Sequence, residues 1–325
     1  MRVLVTGSSG HLGEALMRVL PDAGHEAVGL DVLASPYTQV VGSITDRALV
    51  RTALQGVDAI LHTATLHKPH IASHDRSAFV QTNVQGTLVL LEEAVAAGVS
   101  RFVFTSTTSA FGRALTPAPG APAAWIDERV TPVPRNVYGA TKTAAEDLCE
   151  LVARDEGLPC LVLRTSRFFP EGDDRDDVRA SYSTENAQVN ELLYRRVDLE
   201  DVVSAHLLAL ERAPSLGFGR YVVSAPTPFS RDDLAELRTD APAVVRRLFP
   251  DHEAVYAERG WAVFPSLDRV YDSAAAQEAL GWTPRYDFRS ALDRLAAGEP
   301  PHSALAEQVG AKGYHPVSTG PYTVR

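Results

Sequence analysis

Cysteine is almost missing from this chain: its 325 residues include two, Cys149 and Cys160. That excludes a disulfide framework and leaves two buried thiols as the expectation. Long apolar runs are missing too. None approaches the roughly 20 residues that cross a bilayer, so no membrane partner is expected. The first residues, MRVLVTG, show no charged segment ahead of an apolar core of the kind that directs export, and a cytoplasmic protein is expected. Positive charge is in deficit, with a formal net charge of -10. This speaks against a nucleic-acid partner, though not against a local anion pocket. Internal repeats and low-complexity linkers are also lacking. What is present is a hydrophobic content of 45%, enough for one large or two-lobed body with a substantial core.

The first two-thirds alternates regularly. RVLVT, EAVGLD, QVV, DAILH, SRFVFTST and PCLVLRT read as strands. Between them lie helical stretches, two of them long: FVQTNVQGTLVLLEEAVAAG and VYGATKTAAEDLCELVARDEG, each closed by a glycine. Buried strands alternating with helices indicate an α/β Rossmann-type, doubly wound parallel sheet. After about Arg164 the pattern loosens into the acidic PEGDDRDD, a further helix, a strand at GRYVVSA and a Pro- and aromatic-rich remainder. The expected organisation is a nucleotide-binding domain over 1–165 and a smaller C-terminal α/β lobe over 166–325, with 195–212 returning to the first. Within that lobe, Ser230 followed by Asp233 marks a helix start.

VTGSSGHLGE follows the first strand and places Gly7, Gly10 and Gly13 in a G-x-x-G-x-x-G pattern. A chain that turns tightly, lets its backbone approach a pyrophosphate and aims helix amides at it needs glycines there. Asp31 ends the second strand, where a carboxylate can accept hydrogen bonds from both ribose hydroxyls of a dinucleotide. Its charge repels a 2'-phosphate, and the following Val32 and Leu33 offer no cation to receive one, so NAD is the expected cofactor rather than NADP.

NVYGATK puts Tyr138 four residues before Lys142 on the first turn of a helix, on one face. The pair alone does not separate a packed surface contact from a proton-transfer device.

With TGSSGHLG, DAILHTAT, NVQGT, FTSTTSAFG, YGATK, LRTSRFFP, VDLEDVVSAH and ALGWTPRYDF in order, the chain resembles the extended short-chain dehydrogenases/reductases, specifically their NAD-dependent epimerase/dehydratase group. The resemblance covers nearly the whole chain. It implies that Tyr138 is the acid/base, with Lys142 as its partner. Thr107 is the implied strand-end hydroxyl, with Thr108 a close rival. For the cofactor it implies Gly7, Ser9, Gly10, His11, Leu12 and Gly13 in the turn, and Asp31, Ser43, Ile44, Thr63, Ala64, Thr65 and Asn83 around it, besides Tyr138 and Lys142. It further implies a homodimer built on the two long helices, whose apolar residues include Leu88, Leu91, Leu148 and Leu151. The chemistry is coherent: a free phenol titrates near about 10, and a neighbouring ammonium together with the oxidised nicotinamide favours its phenolate.

Four departures from the family pattern matter. Ser43 stands where the family carries Asp. Thr108 and Ser109 replace the Asp-Glu pair of the 4,6-dehydratases, which makes that reaction unexpected. Arg167 replaces an asparagine common in sugar-nucleotide epimerases, and the segment after Pro170 is short, as in uronate dehydrogenases. His67, His70 and His74 invite a metal, but Pro69 interrupts them and no carboxylate or thiolate is fixed beside them, so none is expected. His67 and Lys68 are instead read, with Thr107, Thr108, Arg167 and Arg196, as candidate substrate contacts. Arg167 needs an anion, either in the loop 171–177 or on the substrate. The expected function is NAD-dependent oxidation or epimerisation at a secondary alcohol of a sugar or sugar nucleotide, by hydride transfer assisted by Tyr138, Lys142 and Thr107. Alternatives are oxidation of a small free sugar acid, or a non-catalytic NAD-binding regulator.

Overall fold

The computed structural model describes residues 1–312; residues 313–325, expected in the second lobe, lie outside the described residues. In chain order the elements that matter are β1 (Arg2–Thr6), α1 (His11–Val19), β2 (Glu26–Asp31), β3 (Val40–Val41), α2 (Arg47–Ala53), β4 (Ala59–His62), α3 (Arg76–Phe79), α4 (Gly86–Ala97), β5 (Arg101–Thr107), β6 (Ala124–Ile126), α5 (Val137–Glu156), β7 (Cys160–Thr165), α6 (Asp176–Ser181), α7 (Thr184–Leu192), α8 (Leu199–Leu216), β8 (Phe218–Val223) and β9 (Arg269–Tyr271).

The chain forms two compact units. The first comprises Met1–Ala110, Pro134–Thr165 and Val202–Tyr221, and the second comprises Phe111–Val133, Ser166–Asp201 and the chain from Val222 onward. In the first, seven strands lie in the order β3-β2-β1-β4-β5-β7-β8. The register is parallel from β3 through β7, with Val5 beside Gly29 and Leu61, and Phe104 beside His62 and Val162. This is the α/β Rossmann-type sheet expected. The strand order reverses between β1 and β4, where open α/β sheets gather their ligands. β4 and β7 are buried along their whole length, and β1 at all but its first residue. Strands covered on both faces read as unbroken apolar runs for that reason. The long helices stop where glycine permits a left-handed residue, at Gly98 (φ 72°) and Gly157 (φ 71°).

Between α3 and α4, residues Val80–Gln85 form a π-helical segment. Asn83 is its buried residue, and such segments recur at functional sites.

The second unit carries a short parallel pair, with Trp125 of β6 beside Val270 of β9, which the sequence reading does not anticipate. Its core gathers Leu193, Tyr256, Leu267, Val270, Phe288 and Leu292. Ser230 and Asp233 form the expected capping box. Among the described residues no helix is long and apolar enough to cross a membrane.

Candidate functional site

The glycine turn is closed by sterics. Gly7 sits at φ 74°, and a Cβ on it would lie 2.7 Å from the Ala64 nitrogen and 2.9 Å from Thr63 Oγ1. A Cβ on Gly13 would meet the Gly7 carbonyl oxygen at 1.9 Å, so no side chain fits. Gly10 precedes α1, and no side chain caps that helix start. His11, Leu12 and Gly13 are buried in its first turn. The Ser9 N–H donates to Asp31 Oδ2 at 3.0 Å, and the Leu33 N–H donates to Oδ1 at 2.9 Å. The carboxylate is thereby locked beside the turn. The donor set fits a dinucleotide: an open helix start for a pyrophosphate and a fixed carboxylate for a ribose. The Gly42 N–H reaches the Asp31 carbonyl at 2.8 Å, which brings Ser43 and buried Ile44 to the same end of the sheet.

Behind the turn runs a hydroxyl–imidazole relay. Thr87 donates to the Asn83 carbonyl at 2.7 Å. His62 Nε2, 2.9 Å from that hydroxyl, must then be the protonated nitrogen, and Thr6 Oγ1 donates to Nδ1 at 2.7 Å. Burial holds His62 well below the usual histidine range, and Lys142 adds to this. His62 is thus a structural group. Thr63 Oγ1 donates to the Thr6 carbonyl at 2.7 Å, and the Ala64 N–H to Thr6 Oγ1 at 3.3 Å.

Asn83, buried in the π-helical segment, is fully employed. Its amide donates to the Leu66 carbonyl (2.8 Å) and Thr141 Oγ1 (3.0 Å). Its oxygen accepts from the Leu66 N–H (2.8 Å) and Thr65 Oγ1 (3.0 Å). It ties the loop after β4 to α5, and Thr141 is a member of this network that the sequence reading missed.

Asn136 caps α5, accepting from the Gly139 N–H at 3.0 Å, and so opens the helix just before Tyr138. A Cβ on Gly139 would lie 2.8 Å from the Ser109 carbonyl, which explains the glycine after Tyr138. The Thr107 hydroxyl approaches the buried Tyr138 phenol and favours its phenolate. Thr108 is buried in the adjoining 3-10 turn, Thr108–Phe111. Of the two rivals, Thr107 is the one brought to the phenol. Lys142 Nζ donates to the Thr105 carbonyl at 2.6 Å and lies 4.0 Å from the Phe104 ring centroid.

The electrostatics differ from the sequence expectation. Burial pushes the Tyr138 phenol up to about 12, against the Thr107 hydrogen bond, and no ammonium offsets it. Burial likewise brings the Lys142 amine down to about 7, opposed by the Glu146 carboxylate. Desolvation outweighs the hydrogen bond in the protein alone because both groups are withdrawn from water.

His67 is buried and Lys68 exposed, on a short 3-10 turn whose imidazoles pack edge to face. Among the described residues no group of three or more potential metal ligands occurs.

In the second unit, Arg167 finds its anion within the chain. Its guanidinium lies 3.2 Å from Asp173, 3.7 Å from Asp174 and 3.6 Å from Glu191, and donates to the Gly172 carbonyl at 2.6 Å. Arg195 reaches Asp173 (2.6 Å) and Glu191 (2.8 Å), and Arg196 donates to Glu191 (2.9 Å) and the Phe169 carbonyl (3.0 Å). Burial pushes the Glu191 carboxyl up, but Arg195, Arg196 and Arg167 together outweigh it and hold it at about 2. Of the two anions open to Arg167, the loop carboxylates are the ones in place.

Residues 3–223 match the model of the NAD dependent epimerase/dehydratase family. A UDP-glucose 4-epimerase of Rhizobium meliloti is 33% identical over 321 residues, covering 88% of this chain and 93% of that protein. A 2-alkyl-3-oxoalkanoate reductase of Stenotrophomonas maltophilia is 29% identical over 338 residues, covering 91% and 99%. Another curated relative is matched over only 39% of its length. Among solved structures, a short-chain dehydrogenase/reductase superfamily protein from Agrobacterium tumefaciens with bound NAD superposes with a TM-score of 0.65 at 24% identity, over 91% of this chain and 96% of that one. By its fold and by the match to its sequence, the chain belongs to the NAD-dependent epimerase/dehydratase family of enzymes.

Proposed function

We propose that this enzyme oxidises or epimerises a secondary alcohol of a sugar or sugar nucleotide, with Tyr138 as proton acceptor and donor, Thr107 orienting the reacting hydroxyl, and Lys142 beside them. The observation that carries this reading is the approach of the Thr107 hydroxyl, at the end of β5, to the buried Tyr138 phenol, in a unit that also holds a glycine turn and an Asp31 that fit NAD. Bound NAD supplies the hydride acceptor and, when oxidised, a positive charge that favours phenolate. Asp31 accepts ribose hydroxyls, Asn83 holds the loop of Thr65 against α5, and burial of Tyr138 excludes water from the proton's path. Support for a sugar nucleotide comes from the full-length likeness to a UDP-glucose 4-epimerase. The test is a panel of sugars, sugar acids and sugar nucleotides followed by NADH absorbance and by product analysis. Net NADH formation marks a dehydrogenase, product without net NADH marks an epimerase, and silence across the panel overturns the reading.

A second reading is reduction or oxidation of a less polar alcohol or ketone. It is favoured by the pairing of Arg167, Arg195 and Arg196 with Asp173 and Glu191, which removes the reason to require an anionic substrate. The full-length likeness to a 2-alkyl-3-oxoalkanoate reductase points the same way. Adding β-keto acids and hydroxysteroids to the panel separates the two.

A further inference from the structure

Tyr138, Lys142 and Glu146 recur every four residues on one face of α5, and each meets a consecutive residue of β5. Tyr138 meets the Thr107 hydroxyl, Lys142 the Thr105 carbonyl, and Glu146 the Ser106 hydroxyl. Glu146 is fully buried. Its carboxylate accepts from Arg164 of β7 through Nε (3.1 and 3.2 Å) and Nη2 (2.7 Å), and Arg220 of β8 approaches it at 3.5 Å. The proposed reaction uses neither Glu146 nor Arg164. Burying a carboxylate and a guanidinium is costly, and an apolar pair would pack the same space without desolvating charge. Their position beside Lys142 gives the pair a use.

We propose that Glu146, clamped by Arg164 and Ser106, is a positioning residue: it fixes α5 against the end of β5 and supplies the negative charge that keeps the Lys142 ammonium in place on the Thr105 carbonyl. This rests on the reading of Lys142 as the partner of Tyr138. Burial brings the Lys142 amine down to about 7, and Glu146, one helical turn along the same face of α5, is the largest influence opposing it. The other groups around the amine do not replace it. Cys149, also on α5, is a buried thiol pushed well up by burial and by its neighbour Cys160 of β7. His62 of β4 is neutral, and His206 of α8 is neutral and bonded to Thr105 Oγ1. Arg164 and Arg220 are cations and add no favourable charge.

The experiment is a titration of Lys142 in the full chain, by carbon NMR of lysine labelled at Cε, with the resonance assigned by its loss in Lys142→Arg. Glu146→Gln leaves Arg164 without its carboxylate and can fail to fold. Glu146→Gln/Arg164→Gln removes both charges and keeps hydrogen-bonding groups. In folded Glu146→Gln the Lys142 midpoint is expected to fall by about one pH unit or more, equivalent to a tenfold loss of ammonium, and in Glu146→Gln/Arg164→Gln, where a cation leaves with the carboxylate, by about half a unit. The rise of NAD affinity on acidification should shift by the same amount, and kcat at neutral pH should drop about tenfold with KM little changed. A midpoint within about 0.3 unit of the parent in a folded variant overturns the proposal and leaves Glu146 a structural ion pair. Failure of the Tyr138 reading would appear separately, as full activity of Tyr138→Phe with the Lys142 shift intact.

Discussion

Tyr138→Phe keeps the buried ring and removes one hydroxyl. If the phenol moves the proton, turnover should fall by about 10² to 10⁴ while NAD affinity, measured by fluorescence titration, stays near the parent value. Arg167→Ala carries the opposite signature. Its guanidinium is matched by Asp173, Asp174 and Glu191, so its loss should lower unfolding free energy by about 1–3 kcal/mol in denaturant melts and leave KM almost unchanged. A large rise in KM at unaltered stability would restore the anionic-substrate idea. Asp31→Ser removes the carboxylate set by the Ser9 and Leu33 amides and should narrow the preference for NAD over NADP. Val32, 64% exposed, is where an added cation should narrow it further. Equal affinities in the parent protein would count against the assignment.

At the scale of elements, the joint between β5 and α8 makes a pH prediction. His206 Nδ1 donates to the Val202 carbonyl at 2.8 Å, so Nε2 accepts from Thr105 Oγ1 at 2.8 Å and the ring is neutral. Burial brings it down to about 4, and His62 is also held well below its usual range. A histidine with a lower pKa folded than unfolded binds fewer protons when folded. Stability is therefore full above about pH 6.5 and is lost as pH falls toward 4, by up to roughly 3 kcal/mol for His206. Thermal melts across that window should show the loss, and His206→Gln should flatten the slope. An unchanged slope in that variant would assign the acid sensitivity elsewhere. The turn from β1 into α1 is equally specific. Gly13→Ala forces a Cβ into the Gly7 carbonyl at 1.9 Å, and weakened NAD binding with a loss of about 1–3 kcal/mol or more is expected.

For the whole molecule, the open question of scale is assembly. Leu91 is buried, Leu88 and Leu148 are half-buried, and Leu148 packs on the core around α4 and α5. Leu151, 42% exposed on α5, and Val80, 50% exposed at the start of the π-helical segment that leads into α4, stand out. We propose that a second copy covers this strip. A dimer by light scattering at micromolar concentration, and a monomer for Leu151→Glu, are expected; a monomeric parent would leave these leucines with the sheet alone.

The sequence by itself determined the sheet and the local machinery. RVLVT, DAILH and PCLVLRT are apolar at their centres because both faces of those strands are covered, and the pattern survives without any knowledge of neighbours. The glycines of the first turn and the four-residue spacing of Tyr138 and Lys142 were legible because backbone sterics and helical period are local. Only the tertiary structure showed that Thr107 rather than Thr108 approaches the Tyr138 phenol, since a hydroxyl's partner depends on how β5 meets α5. It alone placed Arg167 among Asp173 and Glu191, because an arginine's anion can lie anywhere the chain returns. The π-helical turn holding Asn83, the β6–β9 pair and the Glu146–Arg164 clamp were hidden for the same reason. The signs of the electrostatics at Tyr138 and Lys142 also waited on the fold, for desolvation is a property of what surrounds a group and not of its neighbours in the chain.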